Sequence, residues 1–152
     1  MLIRKYKISD CEKLFKLFYD TVHSVNLKDY TQEQVNVWAP IDTDMNLWNE
    51  KFLKTYTVVA LNDDIIIGFG NIDKTGYLDM LFVHKDYQQK HIASFICSHL
   101  EKAFDFSEIT VHASITSKSF FEKKGYKLIQ KQEVKKQGIS LENYIMKKFL
   151  KK

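Results

Sequence analysis

The order strand, loop, helix, strand in the middle of the chain constrains its fold more than any other feature. Residues 77–83 read as a strand, and residues 92–104 place Ile92, Ile96, Leu100, Ala103 and Phe104 on one helical stripe. Residues 109–113 read as the next strand. A strand returning through a helix to a second strand of the same sheet makes a parallel pair with a right-handed crossover.

The flanking segments read differently. Residues 56–61 and 65–70 are β-rich around the turn signal Asn62-Asp63-Asp64, so they form a hairpin that pairs with residues 77–83. Residues 126–134 and 139–149 form a second hairpin around Gln137-Gly138. Residues 117–124 read as a short helix that stops at Gly125, with Ser117 as its N-cap. Residues 1–7 alternate as a first strand, and Ser9 or Asp10 caps a helix that runs from Cys11 to about Asn26. Thr31 and Gln34 make a capping box for a second helix stopped by Pro40, and residues 44–54 make a third. The fold class is therefore α/β: a mostly antiparallel sheet with one parallel pair, flanked by helices.

At 152 residues, without repeats, linker or low-complexity tract, one domain spanning 1–152 is expected. Residues 1–10 contain no apolar run followed by a small-residue cleavage site, and no run approaches the ~18 residues of a membrane span. A cytoplasmic location follows as the expectation, with Cys11 and Cys97 as reduced, buried thiols. A net charge of +4, with lysines spread along the chain, favours neither nucleic acid nor membrane as a partner. His23, His84, His99 and His112 show no ligand spacing, so no metal is expected.

Chemistry concentrates in residues 81–94, Leu-Phe-Val-His-Lys-Asp-Tyr-Gln-Gln-Lys-His-Ile-Ala-Ser, where a strand passes through a polar loop into a helix start. Unpaired amides and the positive end of the helix dipole there seat a phosphate or pyrophosphate. Gln88, Gln89-Lys90, His91, Ile92, Ala93 resembles the pyrophosphate loop of the GNAT acetyltransferases, which runs Gln or Arg, two residues, Gly, one residue, then Gly or Ala. The departure is His91 at the glycine position. A helical φ tolerates histidine there, whereas a left-handed φ strains it and bears directly on cofactor grip. Residues 117–126, Ser-Lys-Ser-Phe-Phe-Glu-Lys-Lys-Gly-Tyr, are similar to the late helix and following strand of the same family. The segments 30–40 and 120–121, with Asp79, look like a bacterial branch of the family whose acceptors are mostly unassigned.

The resemblance implies acetyl-CoA as cosubstrate and direct attack of an amine, from a small molecule or peptide, on its thioester. It implies that the backbones of Leu81, Phe82 and Val83 hold the pantetheine as an added strand would. Gln88, Gln89, Lys90, His91, Ile92, Ala93 and Ser94 would hold the pyrophosphate. Phe121 stands beside the cofactor where the family carries a tyrosine acid, leaving Ser114, Ser117, Ser119, Tyr144 or water to protonate the thiolate. A homodimer is a further implication.

A lysine-like amine is neutral only about one part in 10³ at pH 7, so a nearby carboxylate is useful. Asp79 is the candidate base or amine ligand, placed by strand alternation on one face with Tyr77 and Leu81. The alternative is a strand-end carboxylate bonded to backbone or water. Tyr30 and Trp38, with Gln34 and Trp48, are candidates for the acceptor pocket, and their spacing equally satisfies helix packing. The competing functional class is an acyl-CoA-binding module without turnover.

Overall fold

The computed structural model describes residues 1–150. Seven strands form one sheet in the order β1-β2-β3-β4-β5-β7-β6. They are β1 (Leu2–Lys5), β2 (Tyr56–Asn62), β3 (Ile65–Ile72), β4 (Tyr77–Val83), β5 (Glu108–Ser114), β6 (Lys127–Lys136) and β7 (Ile139–Phe149). Five helices accompany them: α1 (Cys11–Val22), α2 (Gln32–Trp38), α3 (Met45–Lys54), α4 (Ile92–Glu101) and α5 (Lys118–Lys123). Every strand pair is antiparallel except β4 with β5, as the central strand-helix-strand order requires.

Each face of the sheet carries its own apolar layer. α4 covers one, where Leu78, Ile96, Leu100, Ile109, Val111 and Met146 are buried together. α1, α2 and α3 cover the other, around Leu14, Phe18, Val35, Trp48, Phe52, Phe69 and Met80. α4 can lie this close because β3 contributes glycines beneath it. A Cβ on Gly68 would stand 2.8 Å from Ile96 Cδ1, and one on Gly70 would meet Met80 O at 2.9 Å and Leu100 Cδ1 at 3.0 Å. Those contacts fix the height of α4, and with it the loop that leads into the helix.

Local signals explain most boundaries. Thr31 Oγ1 accepts from Gln34 N at 3.1 Å and Gln34 Oε1 accepts from Thr31 N at 2.8 Å, the reciprocal capping box. Gln137 and Gly138 both take positive φ, 50° and 78°, in the two-residue turn between β6 and β7.

Three expected features differ. α1 ends at Val22 rather than near Asn26, because Ser24 and Val25 turn back onto Thr21 O and a 3-10 turn follows at Asn26–Lys28. α4 ends at Glu101, short of Phe104, as Lys102 and Ala103 bond in i−3 fashion to His99 and Leu100. Asp10 precedes α1 but does not cap it with its side chain; its carboxylate accepts from Arg4 Nη1 and Nη2 at 2.8 and 3.0 Å and from Lys7 N at 2.8 Å.

Candidate functional site

The parallel pair is two rungs long: Tyr77 lies opposite Thr110 and Leu78 opposite Val111, and β4 and β5 then diverge. Beyond Leu78 the sheet is split, and the gap opens into a cleft of about 1440 Å³. β4 and β5 form its walls, the 87–94 loop and helix start one end, and α2, α3 and the β6–β7 hairpin the other.

A bulge marks where the split begins. Asn71 pairs with Met80 and Ile72 with Leu78, which leaves Asp79 as the extra residue on β4. Buried Asn71 holds the irregularity in place: its Oδ1 accepts from Met80 N at 3.0 Å and its Nδ2 donates to Thr55 Oγ1 at 3.1 Å. The bulge also corrects the expected alternation. Leu78, Leu81 and Val83 face the α4 layer while Met80 and Phe82 face the α1 layer, so Asp79 does not share a face with Leu81. Its carboxylate reaches α3 instead, where Lys51 Nζ lies 3.4 Å from Oδ2.

At the other end the 3-10 turn Lys85–Tyr87 leads into residues 88–91, and His84 Nδ1 accepts from Asp86 N at 3.1 Å to start that turn. Gln88 does not extend outward. Its Nε2 donates to Val83 O at 2.7 Å and to His84 O at 3.3 Å, so the side chain pins the loop to the end of β4. Gln89 and His91 both adopt left-handed backbone, at φ 58° and 64°. The glycine position therefore does require positive φ, and histidine occupies it at a cost in backbone energy. His91 is the N-cap of α4 without a side-chain cap bond, so the first-turn amides of Ile92, Ala93 and Ser94 point out of the helix start. Lys124 Nζ, bonded to Ser98 Oγ at 2.9 Å and to Ser94 Oγ at 3.3 Å, adds positive charge beside that turn.

Most of the residues expected from sequence meet at this cleft. Asp79, Leu81, Phe82, Val83, Gln88, Gln89, His91, Ile92, Ala93, Ser94, Phe121, Tyr30 and Trp38 all line it; Lys90 does not. Tyr30 is committed to the scaffold, since its hydroxyl donates to Glu142 O at 2.7 Å and accepts from Ile115 N at 2.9 Å. Trp38 packs edge-on against it at 5.3 Å. Phe121 is buried edge-to-face on Tyr126 at 5.1 Å. Ser117 heads α5, but its hydroxyl accepts from Ser114 N at 3.1 Å and contacts Ser114 Oγ at 2.9 Å instead of capping the helix.

Lys51, Tyr77 and Asn143 are among the lining residues that sequence reasoning did not single out. Asn143 Oδ1 is buried without a hydrogen-bond partner among the described residues, an acceptor facing a cleft wall. The Tyr77 phenol is pushed up to about 12 by burial, then by the charges of Asp79 and Asp73, so it stays protonated at neutral pH. Cys97 lies away from the cleft chemistry; burial and the neighbouring Glu101 push its thiol up to about 12, which makes it unreactive. Among the described residues no group of three or more His, Cys, Asp or Glu could hold a metal ion, and no helix is long and apolar enough to cross a membrane.

A sheet split at one short parallel pair, with a helix start aimed into the split, defines the GNAT acetyltransferase class, and the chain belongs to that family. The family model for the acetyltransferase (GNAT) domain matches residues 26–148. The uncharacterized N-acetyltransferase YafP of Escherichia coli (strain K12) is 35% identical over 146 residues, covering 95% of this chain and 93% of its own. The crystal structure of a GCN5-related N-acetyltransferase from Rhodopseudomonas palustris, described as "Aminotransferase, Class-II", superposes with a TM-score of 0.94 at 28% identity, covering 98% of this chain and 95% of that one. The PaiA N-acetyltransferase of Thermoplasma acidophilum, solved in complex with coenzyme A, shares the fold at a TM-score of 0.81 and 19% identity, over 98% of each chain.

Proposed function

We propose that the protein transfers an acetyl group from acetyl-CoA to an amine by direct attack, with Asp79 as the base or amine ligand. The observation that carries this reading is the bulge at Asp79, which sets a carboxylate where the β4–β5 ladder ends and the cleft begins. The residues present suit coenzyme A. On the side away from β3, β4 has no strand opposite beyond Leu78, the α4 amides offer a phosphate seat, and the buried Asn143 Oδ1 suits an N–H or O–H donor.

Bound acetyl-CoA would supply an activated thioester carbonyl. Leu81, Phe82 and Val83 would align the pantetheine, and residues 88–94, Lys90 from its outer rim, would hold the pyrophosphate, with Phe121 beside the thiol end. Held in place, the neutral amine forms the new C–N bond as the C–S bond breaks; its proton passes to Asp79 or to water, and the thiolate leaves. Coenzyme A thiolate is a tolerable leaving group, so the phenyl ring of Phe121 in place of a phenol slows this step rather than preventing it. Tyr30 and Trp38 would border the acceptor. We read the protein as a single-domain cytoplasmic enzyme that pairs as a homodimer, an assembly that light scattering checks.

Phe121 also favours the second reading, a module that binds acyl-CoA without turnover. A thermal-shift titration with acetyl-CoA, free coenzyme A and a nucleotide control, followed by thiol release across an amine panel for wild type and Asp79→Asn, separates the two. A shift with both CoA species and amine-dependent release that Asp79→Asn depresses supports the transferase. A shift with no release from any amine supports the binding module. No shift at millimolar ligand ends both.

A further inference from the structure

The acceptor end of the cleft carries two opposite charges side by side. Lys51 Nζ and Asp79 Oδ2 are 3.4 Å apart, longer than the about 2.7–2.9 Å of a direct charge-assisted hydrogen bond. Both side chains keep solvent contact, at 43% for Lys51 and 27% for Asp79, and both line the cleft. Asp79 is anchored by the bulge, whereas Lys51 reaches it from α3 on a flexible stem.

This arrangement selects among amines. A plain ammonium approaching Asp79 meets Lys51 as a like charge, and displacing Lys51 leaves that cation without its partner. An amine with its own carboxylate one carbon away meets no such conflict: its ammonium faces Asp79 and its carboxylate faces Lys51. Two loosely paired groups are thereby each given a partner and the local charge is unchanged. Trp38, Tyr77 and Phe82 supply aromatic wall nearby, suited to an apolar side chain.

Resting on the acetyltransferase reading, we propose that the acceptor is a free α-amino acid with an apolar or aromatic side chain, its carboxylate held by Lys51 and its amine by Asp79. Lys51 is then a specificity-determining residue. The reaction is N-acetylation: the bound ammonium first gives one proton to Asp79 or water, the neutral nitrogen then forms the C–N bond as the C–S bond breaks, and its second proton passes through water to the departing thiolate, so that coenzyme A is released as thiol.

The test pairs each of several amino acids with its decarboxylated amine and its amide, for example phenylalanine, phenethylamine and phenylalaninamide. Thiol release gives kcat/KM for wild type, Lys51→Met and Lys51→Arg. Wild type is expected to prefer the carboxylate-bearing member by at least about tenfold, Lys51→Met to bring that ratio toward unity, and Lys51→Arg to keep most of it. A wild-type preference for the decarboxylated amine, or a ratio that Lys51→Met leaves unchanged, overturns the proposal. Lys51→Met should keep its thermal shift with coenzyme A, which shows that the variant is folded. If no amine turns over, thermal shifts with the same compounds in the presence of coenzyme A decide. Protection of wild type by amino acids but not by their amines, lost in Lys51→Met, supports the subsite while ending the transferase reading; no protection ends the subsite as well.

Discussion

At the scale of single residues, His91 and Asp10 are the informative positions. His91 sits at φ 64°, where an L side chain costs about 1–2 kcal/mol and glycine costs little. His91→Gly is expected to stabilise the protein by about 1 kcal/mol, a rise in Tm of roughly 2–4 °C, without loss of coenzyme A binding. Differential scanning fluorimetry with and without coenzyme A checks both; a fall in affinity would show that the imidazole itself touches the ligand. Asp10 makes the opposite case of a polar group well placed. Burial alone would raise its carboxyl, but the hydrogen bonds from Arg4 and the Lys7 amide outweigh that and hold it below its ordinary 3.8. A depressed folded value means the contribution is fully present above the unfolded value and is lost as pH falls through the folded one. Asp10→Asn should therefore cost about 2 kcal/mol at neutral pH and progressively less in acid, read as converging melting curves. Both residues were visible in the sequence, yet neither role was. His91 was legible as an exception to a loop pattern, but its φ depends on how the loop meets α4, and the Arg4 partner of Asp10 belongs to strand β1, across a turn that no spacing rule marks.

At the scale of elements, periodicity carried the fold. Both hairpins, the parallel pair and α1 through α5 followed from alternation, helical stripes and turn residues. What periodicity could not show was irregularity imposed by a partner element. The bulge at Asp79 exists because Asn71 of β3 bonds Met80 N in place of a regular ladder, so the face of Asp79 was misjudged. Lys51 and Asn143 were missed for the same reason, since each reaches the cleft through contacts far apart in sequence. Gly70 is another long-range choice: it lies in β3 only because α4 rests on it. Gly70→Ala should cost about 1–3 kcal/mol through overpacking against Met80 O and Leu100, and should raise the KM for acetyl-CoA as α4 shifts. A fall in Tm with unchanged KM would mean the loop is positioned independently of the helix. β6 shows a different kind of design. It is a sheet edge ten residues long, bearing Lys127, Lys131, Lys135 and Lys136 and a register shift between Leu128 and Gln130. Charge and irregularity of this sort discourage edge-to-edge pairing, so a homodimer would have to use another surface.

At the scale of the whole molecule, the sheet consists of two unequal blocks, β1–β4 and β5-β7-β6, joined in the sheet by two rungs and bound outside it by α4 and by the Tyr30 hydroxyl. At the seam, local opening breaks a ladder of only two rungs. Hydrogen exchange in the free protein is expected to be fast at those amides of residues 81–83 and 112–113 that face the split rather than β3 or β7, and to slow on addition of coenzyme A, while the α1 and α3 amides change little. Equal protection throughout would point to a global rather than a local effect.

A seam of this kind also makes the protein a gauge of supply. A ligand that bridges the two blocks adds RT ln(1 + [L]/Kd) to the resistance of the fold, about 2.7 kcal/mol at a hundredfold excess over Kd. As the concentration of coenzyme A falls toward Kd that increment shrinks, so the ease with which the two blocks part would follow the amount of ligand between them.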